Sequence, residues 1–370
     1  MDSLANLEIL HNVALHNGII NQIVDDCAAF FVEEGKKIDF LESICEFLVR
    51  RSAAPFRSSI MHMLFKFYQA NVFNLDLIIS VFKSFKTNPT SYEQVLLYLF
   101  IWFAPEIEDM DMELFEHVLN TDENVVNGLF PTLRNFFYSF EQLSNNEYRL
   151  LKLLRESSPL LKTISAVLQR DDIELLKVAS SKPGFDVNSV ISPSIYEPSF
   201  YTNNSPTLVM YSCFYKSINC LNLLLDLGAD LNLTDSEGNT IIDFACASGS
   251  LEICELLISK GIDISSGVFA AAEFGNLDVL YRLEKDYMID YSKIHDKKGS
   301  LLHRAAFSGS IDVIKFCIEK NIDFYTLDKK VRISVFKNHV YIYRVNITRN
   351  HSFLLTNYIE LILMFLILME

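Results

Sequence analysis

Ser217-Ile218-Asn219-Cys220, Ser250-Leu251-Glu252-Ile253, Asn276-Leu277-Asp278-Val279 and Ser310-Ile311-Asp312-Val313 are four versions of one phrase, and Asp172-Ile173-Glu174-Leu175 is a fainter fifth. Leu251 follows Ile218 by 33 residues, and Ile311 follows Leu277 by 34. A recurrence at that period predicts a stack of helix pairs in which each repeat buries its apolar face against its neighbours. It points to binding rather than chemistry.

Each phrase opens with a helix N-cap residue: Asp172, Ser217, Ser250, Asn276 or Ser310. Such a side chain accepts a hydrogen bond from an otherwise orphaned amide of the first helical turn. Gly249, Gly275 and Gly309 precede three of the caps, where a tight turn calls for positive φ. Apolar residues then recur at helical spacing, as in Leu221-Leu224-Leu225 and Ile253-Leu256-Leu257. Gly228, Gly261 and Asn321 stand ten residues after Ile218, Leu251 and Ile311, where the helix should stop. Ahead of each turn comes a shorter helix carrying small residues: Ala245-Cys246, Ala270-Ala271-Ala272 and Ala305-Ala306. Asp235-Ser236-Glu237-Gly238-Asn239-Thr240 reads as a turn leading into one of them.

At these residues the chain resembles the ankyrin repeat family. The helix starts Thr240-Ile241-Ile242-Asp243 and Ser300-Leu301-Leu302-His303 stand where that family has a Thr-Pro-Leu-His-like motif, although both lack its proline. The resemblance is good over 205–328 and weak over 160–188. Only 26 residues separate Leu251 from Leu277, so that repeat has lost about one hairpin finger between Ile264 and Val268. Ile218 lies 45 residues after Ile173, so a loop is inserted there, Ser192-Pro193-Ser194-Ile195-Tyr196-Glu197-Pro198-Ser199-Phe200. This loop resembles a segment of divergent ankyrin proteins expanded in some protists.

The expected fold is all-α: a helical N-terminal region over 1–158, then an ankyrin α-solenoid over 159–330. The repeats fall at 159–204 (weak), 205–237, 238–266, 267–298 and 299–330. In the N-terminal region helices are expected near 7–33, 39–51, 56–70, 74–86, 91–103, 111–120, 122–138 and 144–156, with breaks at Gly35, Pro55, Pro89, Pro105 and the acidic Glu106–Asp109 segment. This region should also shield the first repeat, because the end of a solenoid otherwise exposes an apolar face. Residues 331–370 form an atypical tail, mildly basic at first and apolar over 353–369. That end could dock on the last repeat or anchor in a membrane, but the run after Glu360 is well short of the roughly 20 apolar residues a span needs.

Half of the 370 residues are apolar and the net charge is −15, with no Lys/Arg-rich run. That charge opposes phosphate binding and argues against a nucleic-acid partner. Seven cysteines show no CxxC pair, and no secretory leader is read at the N-terminus. They are expected to be buried thiols in a reducing cytoplasm. No HExxH, phosphate-loop or nucleophile-elbow motif occurs. The expectation is therefore a non-enzymatic scaffold with no catalytic, cofactor or metal site, with an enzyme hidden in 1–158 as the remaining alternative.

The ankyrin resemblance implies partner contacts on hairpin fingers and on the first helices. The finger residues are Asn232, Thr234, Asp235 and Glu237, then Lys293, His295 and Asp296. The helix residues are Tyr211, Phe214, Tyr215, Phe244, Phe274, Arg304 and Phe307. Two readings of the aromatic ones compete: contact anchors, or packing between repeats.

Overall fold

The computed structural model describes residues 31–49, 57–121, 140–157, 163–194, 201–291, 301–308, 310–320, 331–336 and 339–344, together with Val24, Ala28, Phe136, Tyr196, Glu197, Ser199 and Ile322. The chain divides into two compact units. One holds 17–166 and 192–203; the other holds 167–191 and the residues from 204 onward.

The first unit is helical: α1 Glu34–Leu48, α2 Arg57–Gln69, α3 Leu75–Ser84, α4 Pro89–Met110, α5 Met112–Leu119 and α6 Phe140–Ser157. Short polar side chains begin several of them. Asn74 Oδ1 accepts from the Leu77 amide at 2.8 Å, Asn88 Oδ1 from Ser91 at 3.0 Å and Asp111 Oδ1 from Leu114 at 3.0 Å. Helix α4 is the hub, with every residue from Val95 to Pro105 buried. A helix that is apolar all round must be enclosed by others, and here the enclosure is largely aromatic. Phe31 packs on Phe67 and Phe73 with ring centres 5.6 and 4.9 Å apart, and Phe100 packs on Phe115 and Phe140 at 5.3 and 5.1 Å.

Three expected breaks are absent. Gly35 lies inside α1. Pro105 and Glu106–Asp109 lie inside α4, which bends at Phe103 (φ −126°, ψ 17°) and continues. A proline removes one amide donor and crowds the preceding turn, so a helix can kink there instead of ending if the freed carbonyls find other donors. They do. The Tyr196 hydroxyl donates to the Ile101 carbonyl at 3.0 Å, and Arg155 Nη1 donates to the Trp102 carbonyl at 2.6 Å. Helix α6 is itself interrupted at Asn145–Tyr148.

The second unit carries the repeats. Its helix pairs are α7/α8 (Ile164–Gln169, Ile173–Ser180), α9/α10 (Leu208–Phe214, Ile218–Asp226), α11/α12 (Ile241–Ser248, Leu251–Ser259), α13/α14 (Gly267–Glu273, Leu277–Tyr287) and α15/α16 (Leu301–Ser308, Ile311–Glu319). The border between the units falls within α7. First helices stand side by side, α9 on α11, α11 on α13 and α13 on α15. Every residue of α9, α11 and α13 is buried, whereas each second helix buries only one stripe, such as Ile253, Cys254 and Leu257 in α12. Small residues permit the close approach. A Cβ on Gly267 would lie 2.6 Å from Cys246 Sγ.

The recurring cap position does two jobs. Asp172, Ser250 and Ser310 accept from amides of their own helices. Ser217 and Asn276 instead reach back one repeat. The Ser217 hydroxyl donates to the Leu168 carbonyl, and Asn276 Nδ2 donates to the carbonyls of Cys246 at 2.9 Å and Ala247 at 2.8 Å. The N-terminus of α10 is then capped from the preceding repeat: Asp171 accepts from the Cys220 amide at 2.8 Å and from the Asn219 amide at 3.2 Å. Gly249 is confined by this arrangement, with φ +76° and space for a Cβ only 2.7 Å from Asn276 Oδ1. Asp171 and Lys216 fill the matching turn in earlier repeats at φ +53° and +60° without being glycine.

Residues 331–344 depart from the expected tail. Val331–Phe336 (β1) and His339–Arg344 (β2) form an antiparallel hairpin in register Val331↔Arg344 to Phe336↔His339. The apolar segment 353–369 and its proposed docking or anchoring lie outside the described residues. Among the described residues, no helix is long and apolar enough to cross a membrane.

Candidate partner-binding surface

The finger at 232–240 is built around one carboxylate. Asp235 Oδ1 accepts from the Glu237 amide at 2.9 Å and the Asn239 amide at 2.8 Å, and Oδ2 accepts from Asn239 Nδ2 at 2.8 Å. Burial pushes the Asp235 carboxyl above its ordinary value, against these donors, which favour the ionised form. Ser236 then ties the tip to the preceding repeat, its amide and hydroxyl donating to the Asn204 carbonyl at 2.9 and 2.8 Å. The finger is thus held at its root and one repeat back, leaving Asn232, Thr234 and Glu237 exposed. Asp235 is a buried organiser of the finger and not part of its outer surface.

The aromatic residues resolve the other way. Tyr211, Phe214, Phe244 and Phe274 are all buried, at 0, 2, 0 and 3% exposure. Phe214 lies 6.4 Å from Phe244 and 5.7 Å from Phe274, edge to face in both cases. These four therefore pack the repeats together, and the expectation that they are contact anchors is corrected. The reason is steric: α9, α11 and α13 stand side by side with every residue buried, so rings between them have no route to solvent. Tyr215, 4.7 Å from Tyr211, remains half-buried. Arg304 is engaged with the preceding repeat, Nη1 donating to Glu273 Oε2 at 2.6 Å with both side chains mostly buried. Lys293, His295 and Asp296 lie outside the described residues, as does the side chain of Phe307.

Asp243 stands in its helix start where His303 stands in the last repeat, and it could tie neighbouring turns or cap its own helix. It caps its own helix, accepting from the Thr240 amide at 2.6 Å and hydroxyl at 2.8 Å. On the second helices the repeats are linked by ion pairs: Arg282 with Glu255 at 2.8 Å, and Lys320 with Glu284 at 2.5 Å.

Asn204 and Asp171 were missed as organisers by the sequence reading. A signal existed, since Asn204 lies 32 residues before Ser236, one repeat back. All six described cysteines are free and buried. Burial pushes the Cys317 thiol up to about 12, and burial with the neighbouring Asp171 carboxylate takes Cys220 to about 12 as well. Such thiols are poor nucleophiles near neutral pH. Among the described residues, no group of His, Cys, Asp and Glu side chains is placed to hold a metal ion.

The geometry of paired helices, Ala-rich contacts and finger turns defines a repeat array, and comparisons with known proteins give the same answer. A family model described as ankyrin repeats, in three copies, matches residues 165–268, and an ankyrin repeat model matches 297–326. Residues 165–268 and 297–326 are thus ankyrin repeats, and ankyrin repeats are protein-interaction modules. The chain is 28% identical over 101 residues to Protein VAPYRIN-LIKE of Medicago truncatula, covering 26% of this chain and 22% of that protein. It is 28% identical over 113 residues to Alpha-latrocrustotoxin-Lt1a of Latrodectus tredecimguttatus, covering 29% and 8%. The chain thus matches less than a quarter of either relative. The crystal structure of the human ASB11 ankyrin repeat domain superposes on 44% of this chain and 71% of that one, at 19% identity and a TM-score of 0.34.

Proposed function

We propose that this chain is a non-enzymatic scaffold that holds a protein partner on the finger 232–240 and the neighbouring half-buried Tyr215. One observation carries the reading. Asn232, Thr234 and Glu237 are exposed on a turn that Asp235 and Asn204 hold in place. A surface fixed before binding loses little conformational entropy when a partner docks. The net charge of −15 favours a partner with a cationic face over a nucleic acid. Buried, high-pKa thiols suit a reducing compartment, and the cytoplasm is the setting this reading assigns. No cofactor enters it. The membrane-anchored alternative depends on 353–369, and no described residue favours it. The enzyme alternative in 1–158 is disfavoured by the aromatic filling around α4.

The test is affinity capture with the full chain beside a variant carrying Asn232→Arg and Glu237→Arg. Both substitutions are exposed and leave the Asp235 turn intact. Capture of a defined protein by the parent and its loss in the folded variant is the expected result. Equal capture by both would move the contact elsewhere.

A further inference from the structure

Residues 192–203 look like a loop inserted between two repeats, and loops of that kind usually lie on the surface. Much of this one is buried instead. Tyr196, Glu197, Ser199, Tyr201 and Thr202 are exposed by 5% or less, and the segment belongs to the helical unit although its flanks belong to the repeats. It is closed on itself: the Ser194 amide donates to Asn203 Oδ1 at 2.8 Å, Asn203 Nδ2 to the Glu197 carbonyl at 2.7 Å, and the Glu197 amide to the Ser194 carbonyl at 3.1 Å. Such a loop presents Tyr196 in one position.

That position coincides with a defect in α4. In a helix the Ile101 carbonyl would accept from the amide of residue 105, and Pro105 has none. An unpaired carbonyl in an apolar interior is costly. The Tyr196 hydroxyl donates to this carbonyl at 3.0 Å, while its ring meets Trp102 edge to face at 5.3 Å. On the next carbonyl, that of Trp102, sits Arg155, which also holds Glu106 through two bonds of 2.7 and 3.0 Å.

We infer that residues 192–203 are a strap of the N-terminal helical unit, and that Tyr196 supplies the hydrogen bond Pro105 withholds from Ile101. Two consequences follow. A fragment ending at 158 lacks a piece of its own core. The insertion between the first two repeats is engaged within the helical unit, so it is not a finger offered to a partner.

A double-mutant cycle on the full chain tests this, with unfolding in urea read by the fluorescence of Trp102, the sole tryptophan. Tyr196→Phe removes only the hydroxyl. With Pro105 present, it should lower the folded-to-unfolded ratio about tenfold. With Pro105→Ala, residue 105 regains an amide for Ile101, and the same change should cost less than about twofold. An equal loss in both backgrounds, or none with Pro105, overturns the assignment. If Pro105→Ala alone prevents folding, hydrogen exchange in the parent decides. The amides of Ser194 and Glu197 should then open only together with α4. Exchange as fast as that of exposed loop amides contradicts the strap.

Discussion

The two units use opposite solutions to the same problem. The N-terminal unit wraps bulky aromatic residues around one long kinked helix, and a few buried polar groups repair that helix's single defect. The repeat unit uses short helices, small residues at their contacts and hydrogen bonds that recur one repeat apart. Its second-helix stripes recur along the array, and its cap positions recur with two alternative sets of partners. Strength in the first unit is therefore concentrated in particular residues, such as Arg155. In the second it is distributed, except where a turn or ring is shared by neighbouring repeats.

Substitutions can break this contrast. The largest effect should come from Phe244→Ala, which empties a fully buried site among the first helices. It should cost about 4 kcal/mol, read by far-UV circular dichroism in urea. A loss below about 1 kcal/mol would mean the array does not depend on its inner rings. Arg155→Ala comes next, at about 3 kcal/mol, because it strands both the Trp102 carbonyl and the Glu106 carboxylate. Its readout is Trp102 fluorescence, and an unchanged midpoint would show the buried pair to be dispensable.

Gly249→Ala should cost about 2 kcal/mol, through positive φ and a collision with Asn276 that disturbs its two bonds to α11. The same turn also allows a gain. Lys216→Gly relieves a lysine held at φ +60° and should raise stability by about 1 kcal/mol, seen as a higher melting temperature; a lower one would mean that this turn is not strained.

The smallest effect concerns pH. Burial raises the Asp111 carboxyl, but the Lys83 ammonium at 2.8 Å and the Leu114 amide outweigh it and hold the group below its ordinary value. A depressed carboxyl stabilises the fold above its unfolded pKa of about 3.9, and that stability is lost as pH falls through the folded value. With Lys83 well exposed, the contribution stays under about 1 kcal/mol. Asp111→Asn should remove it, flattening stability between pH 6 and 3; an unaltered slope would assign the acid sensitivity to other groups.

The repeats were legible because their signals are local and recur: caps, small-residue pairs and apolar stripes at a common period. What the cap side chains bond to was not legible, since Ser250 and Asn276 occupy equivalent places and only the latter turns back on its neighbour. The outcome for Pro105 was hidden for a different reason. Its repair comes from Tyr196, 91 residues later, and no local pattern connects the two. At 331–344 the alternation Val-Arg-Ile-Ser-Val-Phe and His-Val-Tyr-Ile-Tyr-Arg, separated by two residues, is a readable hairpin signal, although the stronger apolar signal of the stretch that follows dominates this end of the sequence. The aromatic row was ambiguous because a ring beside alanines suits an interface and an interior equally well. Burial decides it for Phe244 and Phe274.

The central claim is that the finger, and not the outer helices, meets the partner. Site-specific photo-crosslinking in the full chain tests it most directly, with a photoreactive phenylalanine derivative placed at Glu237 or, as the contrast, at exposed Glu252 on α12. The account predicts a discrete crosslinked protein from position 237 and none from position 252. A discrete adduct from 252 with none from 237 would contradict it.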